Sequence, residues 1–184
     1  MRREIRTQRL LLVAQTIELA RAELERPLSL SGLLNAAVPA EWPPPLNDRD
    51  SMAWSLSKLE AGPSAVGWLL WYMLLPMDGR WQAVGVAGFT GPPVEGRCEI
   101  GYSVMPVHQR NGYATEAVQA LVRHALAFPE VADVIAHTFP NLIPSLSVLA
   151  KCDFVSDGPG TEAGTVRYRI GRELPANPLP SGTR

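Results

Sequence analysis

An α/β fold built on a mixed sheet follows from three features of the chain. Apolar runs rich in β-forming residues alternate with stretches of helical periodicity, two of those runs flank an Asp-Gly turn, and one strand leads straight into a long amphipathic helix. A strand-helix-strand unit in such a sheet is expected to cross over right-handed. At 184 residues the chain suits one domain with a sizeable core.

In chain order, residues 4–14 read as the first strand. Ile17, Leu19, Ala20 and Leu24 recur with helical spacing, which predicts a helix over 16–26 closed by Pro27. A second short helix is expected over 28–38, then a proline-stiffened loop over 39–45, and Asn47 or Asp48 can cap a helix reaching about Leu59. Residues 66–75 and 81–89 read as paired strands around Met77-Asp78-Gly79-Arg80. Gly91-Pro92-Pro93 breaks the second of these, and 98–105 resumes as a third strand.

The helix that follows is the best-marked element. Ala114, Ala117, Val118, Leu121, Val122, Ala125 and Leu126 share one face, and Pro129 ends the run. Glu116 lies in its first turn and Arg123 and His124 in its last, the order the macrodipole prefers. A strand over 132–138, a helix over 141–151 and closing strands at Phe154-Val155 and 165–170 complete the fold. Residues 173–184, with Pro175, Pro178 and Pro180, read as a flexible tail, leaving 1–172 as the single domain.

Charge and cysteine content narrow the function. With 17 basic and 18 acidic residues the net charge is -1, and no dense Lys/Arg run points to nucleic acid or an anionic membrane. Cys98 and Cys152 lack C-x-x-C spacing and read as core thiols, and no histidine has partners at metal-ligand spacing, so no metal is expected. The N-terminus has no apolar stretch of signal-peptide type and 66–75 is too short to span a bilayer, which implies a cytoplasmic protein.

The strand-to-helix junction His108-Gln109-Arg110-Asn111-Gly112-Tyr113-Ala114-Thr115 is an anion-binding device. Amides at a helix start lack intrahelical acceptors and sit at the positive end of the dipole, so they favour a phosphate or pyrophosphate. Gly112 lets a ligand approach the backbone, and Arg110 adds a cation able to bond phosphate oxygens.

Gln109-x-x-Gly112-x-Ala114 resembles the Q/R-x-x-G-x-G/A signature of the GNAT superfamily of acyl-CoA-dependent N-acetyltransferases. Glu99-Ile100-Gly101-Tyr102, Gly112-Tyr113-Ala114-Thr115-Glu116-Ala117 and the opening Thr7-x-Arg9-Leu10-x-Leu12 are similar to the ribosomal-protein N-acetyltransferase-like, RimJ/RimL-type branch, except that Val13 stands where that branch has an arginine. The likeness is clear over residues 82–158, faint over the first strand and absent over 27–65. It implies a mixed, mostly antiparallel central sheet flanked by helices, with one splayed pair of central strands. It further implies that Gln109, Arg110, Asn111, Gly112, Tyr113, Ala114 and Thr115 hold the pyrophosphate of acetyl-CoA, and that a backbone N–H near Val104 faces the thioester oxygen. The partners implied are acetyl-CoA and a primary amine, either a protein N-terminal α-amine or a small molecule, with direct transfer of the acetyl group. The uncovered stretch over 27–65 falls where such enzymes shape the acceptor pocket.

Acetyl transfer to an amine needs a base, an oxyanion partner and a proton for the leaving thiolate. Glu99 matches the place of the catalytic glutamate in the related histone-acetyltransferase branch; an exposed strand glutamate in an ordinary ion pair is the competing reading. Where many relatives carry a tyrosine acid this chain has Leu149, leaving Ser145 as the hydroxyl candidate beside an ordinary helix-capping role. Leu142 and Asp153 replace the family's usual asparagine and glycine, and Pro144 fits only in a first helical turn. Tyr102 and His137 are candidates to line the acceptor site, each against simple packing, and His108 either touches a phosphate or is solvated. Trp42, in a Pro-rich loop, reads as an exposed wall of the acceptor site or a partner contact, whereas Trp54, Trp68, Trp71 and Trp81 default to the core and His124 to a helix-end charge. A noncatalytic acyl-CoA-binding or sensor module is the alternative reading, a ligand-free structural domain the third. The sheet edges and apolar residues 68–75 leave room for a homodimer.

Overall fold

The computed structural model describes residues 3–25 and 27–172. Arg26 and the expected tail over 173–184 lie outside them. Along the chain run β1 (Glu4–Arg6), β2 (Leu11–Ala14), α1 (Ile17–Glu25), α2 (Pro27–Leu34), α3 (Arg49–Ala61), β3 (Leu70–Met77), β4 (Arg80–Phe89), β5 (Arg97–Val104), α4 (Tyr113–Leu126), β6 (Asp133–Thr138), α5 (Ile143–Lys151), β7 (Val155–Pro159) and β8 (Val166–Gly171). The strands form one sheet in the order β1-β2-β3-β4-β5-β6-β8-β7. Every neighbouring pair is antiparallel except β5 and β6, which run parallel on either side of the α4 crossover.

Local chemistry accounts for most boundaries. Asp78 and Gly79 take φ of 49° and 75°, the two left-handed positions a tight hairpin needs between β3 and β4. Asp48 caps α3 by accepting from the Ser51 N–H at 2.9 Å. Pro144 falls in the first turn of α5, the one place in a helix where its missing N–H costs nothing.

Three boundaries differ from expectation. The strand expected over 4–14 is a hairpin, because the Thr7 hydroxyl accepts the Leu10 N–H at 2.9 Å and turns the chain between β1 and β2. The helix expected over 28–38 stops at Leu34, where Asn35 turns left-handed and Ala37 instead bridges to Gln82. The strand expected from 66 starts at Leu70, since Pro63–Ala65 forms a short helical turn and Arg3 Nη1 holds the Val66 carbonyl at 2.8 Å.

The core lies on both sides of the sheet. Side-chain alternation sends Cys98, Ile100, Tyr102 and Val104 of β5 towards α4, where they meet Ala117, Val118 and Leu121. Full burial of Val118 and Leu121 is worth about 1.5–3 kcal/mol each. On the opposite face Leu30 and Leu34 of α2 cover Leu11, Val13, Tyr72 and Leu74.

What positions the site is a divergence. The β4–β5 ladder extends from Phe89↔Ile100 to Gly85↔Val104, yet β5 and β6 pair only at Arg97↔Asp133, Cys98↔Val134 and Glu99↔Ile135. Beyond Glu99, β5 stays with β4 while β6 continues along β8 to Thr138↔Val166. The two central strands therefore splay, opening a gap that ends near the start of α4. No helix among the described residues is long and apolar enough to cross a membrane.

Candidate active site

Gly112 is the N-cap of α4, at φ 80°, a conformation open to glycine and costly for other residues. Among the described residues no side chain caps this end, and the first helical bond is Glu116 N–H to the Gly112 carbonyl at 3.0 Å. The N–H groups of Gly112, Tyr113, Ala114 and Thr115 thus have no acceptor among the described residues, which is the state that suits an anion. The loop before them is held from within: Asn111 Nδ2 donates to the His108 and Gln109 carbonyls at 3.2 and 3.0 Å. Gln109 turns its carboxamide away from the loop and donates to the Val104 carbonyl at 3.0 Å, tying the loop to the splayed strand. Arg110 is exposed, and His108 Nε2 lies 3.3 Å from Gln82 Nε2.

The β1–β2 hairpin closes over this turn, a contact that sequence reasoning missed. Glu116 Oε1 accepts from the Thr7 hydroxyl at 2.6 Å and the Arg9 N–H at 2.7 Å, and Glu116 Oε2 accepts from Arg9 Nε at 2.7 Å. Arg9 Nη1 also donates to the Asn111 carbonyl at 2.8 Å, and its guanidinium lies 4.8 Å over the Tyr113 ring. Burial tends to raise the Glu116 pKa, but the Thr7 and Arg9 bonds outweigh it and hold it below the usual carboxylate range. The available signal was the pairing of a Thr-x-Arg start with a first-turn glutamate that has no local cation.

Inside the gap, backbone direction follows from the ladder. Met105 N–H donates to the Val84 carbonyl and Thr90 N–H to the Glu99 carbonyl, so odd-numbered residues of β5 bond to β4. Tyr102 and Val104 therefore aim their amides into the gap.

The two faces of the gap carry different side chains. On the α5 side the Tyr102 hydroxyl lies 3.1 Å from Ser145 Oγ and 3.2 Å from the Ser145 carbonyl. Burial chiefly raises the Tyr102 pKa, so it remains a neutral hydroxyl. On the opposite face Glu99 Oε1 lies 2.9 Å from His137 Nδ1, while His137 Nε2 is buried without a hydrogen-bond partner among the described residues. Burial pushes the Cys98 thiol up to about 12 and the Cys152 thiol up to about 11, which suits both to the core and neither to thiolate chemistry.

Other candidates are placed elsewhere. Trp42 is half-buried beside Tyr72 and gives its indole N–H to Glu23 Oε1 at 2.8 Å; among the described residues no contact joins it to Glu99, Tyr102 or Ser145. Trp54 is exposed on α3 beneath Lys58, not in the core. His124 packs edge-on among Trp71 and Phe128 near Trp68; burial and then the Arg3 charge lower its pKa, so it is an aromatic filler in place of a helix-end cation.

Comparison with known proteins agrees with this geometry. Residues 21–155 match the family model described as the acetyltransferase (GNAT) domain. The uncharacterized N-acetyltransferase YjdG of Bacillus subtilis is 35% identical over 77 residues, 41% of this chain and 46% of that protein. The chain thus spans less than half the length of the curated relatives it matches first. Among solved structures, the ribosomal-protein-S5-alanine acetyltransferase of Vibrio fischeri superposes with a TM-score of 0.62 at 13% identity, covering 92% of this chain and 96% of that one. A RimL ribosomal L7/L12 α-N-protein acetyltransferase solved with coenzyme A gives 0.61 at 16% identity, over 92% and 98% of the two chains. Identities this low speak for the fold alone. The family match covers most of the chain and includes the glycine turn and the splayed strands, and so this protein belongs to the GNAT acetyltransferase family.

Proposed function

We propose that the chain transfers an acetyl group from acetyl-CoA directly to a primary amine, either a protein N-terminal α-amine or a small-molecule amine. The observation that carries this reading is the pair of polar couples, Glu99–His137 and Tyr102–Ser145, set on opposite faces of one gap beside an uncapped helix start. Taking a proton from the nucleophile and giving one to the leaving group act on two different substituents of one tetrahedral carbon, and the two faces offer a separate polar couple for each.

In this reading the amides from Gly112 to Thr115, with Arg110 nearby, hold the diphosphate, and the pantetheine runs into the gap. Glu99, steadied by His137, takes a proton from the incoming ammonium, whose pKa is near ~8 for an α-amine. The neutral nitrogen attacks the thioester carbon, forming the C–N bond, while the Val104 N–H bonds the oxyanion. Collapse breaks the C–S bond. The thiolate receives a proton from the Ser145–Tyr102 hydroxyl pair, and the new amide gives up its extra proton to that pair's depleted oxygen or to solvent. The high thiol pKa values of Cys98 and Cys152 support direct transfer without an acyl-cysteine.

The test is a turnover screen, reading thiol release from acetyl-CoA against N-terminal peptides, polyamines, amino acids and aminoglycosides. Release with one class identifies the acceptor. Tight acetyl-CoA binding with no release across the panel overturns the enzymatic reading in favour of an acyl-CoA-binding module.

A further inference from the structure

We infer that Arg9, delivered by the β1–β2 hairpin, is a fixed cationic contact to the diphosphate of the acyl carrier. The inference rests on the reading above, in which the α4 amides hold that diphosphate. It adds a residue from the opposite end of the sequence, one that the glycine signature does not contain.

Only part of the Arg9 guanidinium is used by the fold. Nε is taken by Glu116, Nη1 by the Asn111 carbonyl, and the planar group rests on the Tyr113 ring. Nη2 has no acceptor among the described residues, and it stands 3.3 Å from where a Cβ on Gly112 would project. The free donor edge therefore borders the same turn whose amides are unpaired. The side chain is 44% exposed, so a ligand can reach it.

Two hydrogen bonds and one stacked ring fix the guanidinium plane before any ligand arrives, so little side-chain entropy is left to lose on binding. Glu116 by itself would place a negative charge one turn inside an anion site. Paired with Arg9 it becomes the brace that orients the cation. The Thr7 hydroxyl and the Arg9 N–H on the same carboxylate oxygen hold the hairpin in register for this purpose.

A mere structural clasp makes a different prediction: its loss loosens the Gly112 turn and lowers the melting temperature, and a lysine, which cannot reproduce the fixed bonds to Glu116 and the Asn111 carbonyl, does not restore binding. The experiment titrates the full chain and its Arg9→Gln and Arg9→Lys variants with coenzyme A, 3′-dephospho-coenzyme A and pantetheine, with thermal melting alongside. Arg9→Gln should weaken both nucleotide ligands about tenfold or more and leave pantetheine unchanged, since a charge-assisted bond to phosphate is lost. Arg9→Lys, which keeps the charge, should recover at least half of that loss on a logarithmic scale. Equal loss on all three ligands, no loss on any, or a lysine variant as weak as the glutamine one overturns the assignment. Loss confined to the 3′-phosphorylated ligand moves the contact to that phosphate and overturns it too. If the native chain itself fails to prefer coenzyme A over pantetheine, the diphosphate site falls and Arg9 with it; if the native preference persists undiminished in Arg9→Gln, Arg9 alone falls.

Discussion

The β5–α4–β6 half and the α1–α3 half of this molecule are organised by different physics. In the first, the decisive feature is a backbone device only a few residues long: a left-handed glycine, a helix without a cap, and four unpaired amides. In the second, it is a buried carboxylate, Glu23, 3% exposed, that accepts from the Tyr72 hydroxyl at 2.7 Å, Trp42 Nε1 at 2.8 Å, and Gln15 Nε2 and Asn47 Nδ2 at 3.0 Å. Ser55 of α3 then donates to Gln15 Oε1, so α1, α3, β3 and the Trp42 loop meet at one charge. Burial is the chief influence and raises the Glu23 pKa, and its hydrogen bonds offset this only in part. The comparison teaches that a device made of backbone amides can be local, whereas a brace between helices and sheet draws on groups 8 to 49 residues from Glu23.

The sharpest way to break the contrast is Glu23→Ala. It strands buried donors on three elements at once and should cost about 3–5 kcal/mol in chemical denaturation, while the folded fraction binds coenzyme A as before. A loss below about 1 kcal/mol would show that the network is not what holds that half together.

Next in size is Glu99→Gln, which should lower kcat by about 10²–10³ near neutral pH once an acceptor is known. The deficit should shrink as pH rises past ~8, where an α-amine sheds its own proton. A flat rate at all pH values removes Glu99 from the mechanism.

Gly112→Glu tests the local half directly. It forces a side chain into the left-handed position and puts a negative charge among the amides proposed to hold the diphosphate, and it should weaken coenzyme A on the order of 100-fold by calorimetry with a small change in melting temperature. Unchanged affinity would sink the glycine turn as the binding element.

The smallest expected effect is the acid side of the stability profile. The folded pKa of His124 lies below its ordinary value, so its neutral form is the one the aromatic cluster favours. Stability from this group is complete above ~6.5 and declines as pH falls through the depressed value. His124→Phe should flatten that decline in melting scans between pH 8 and pH 5, because a ring without a proton site fits the same Trp68, Trp71 and Phe128 surroundings.

Legibility follows the same division. The α4 face, the Asp78-Gly79 hairpin and the Asp48 cap were readable because periodicity, turn chemistry and capping act within a few residues. The hairpin at Thr7 was hidden inside a continuous apolar pattern, since a single side-chain bond from Thr7 turns the chain. Trp42 looked like an exposed loop residue until Glu23, 19 positions away, supplied a partner for its indole N–H.

What the sequence determined by itself is the helix start at Gly112, the strand before it and the family they point to, because each rests on backbone rules that act between near neighbours. Only the tertiary structure decided that β5 and β6 part after Glu99, that Tyr102 meets Ser145 and Glu99 meets His137 across that opening, and that Arg9 reaches Glu116 from 107 residues away. Such contacts depend on strand order and on the burial that brings distant side chains within hydrogen-bond reach, and no local spacing encodes either.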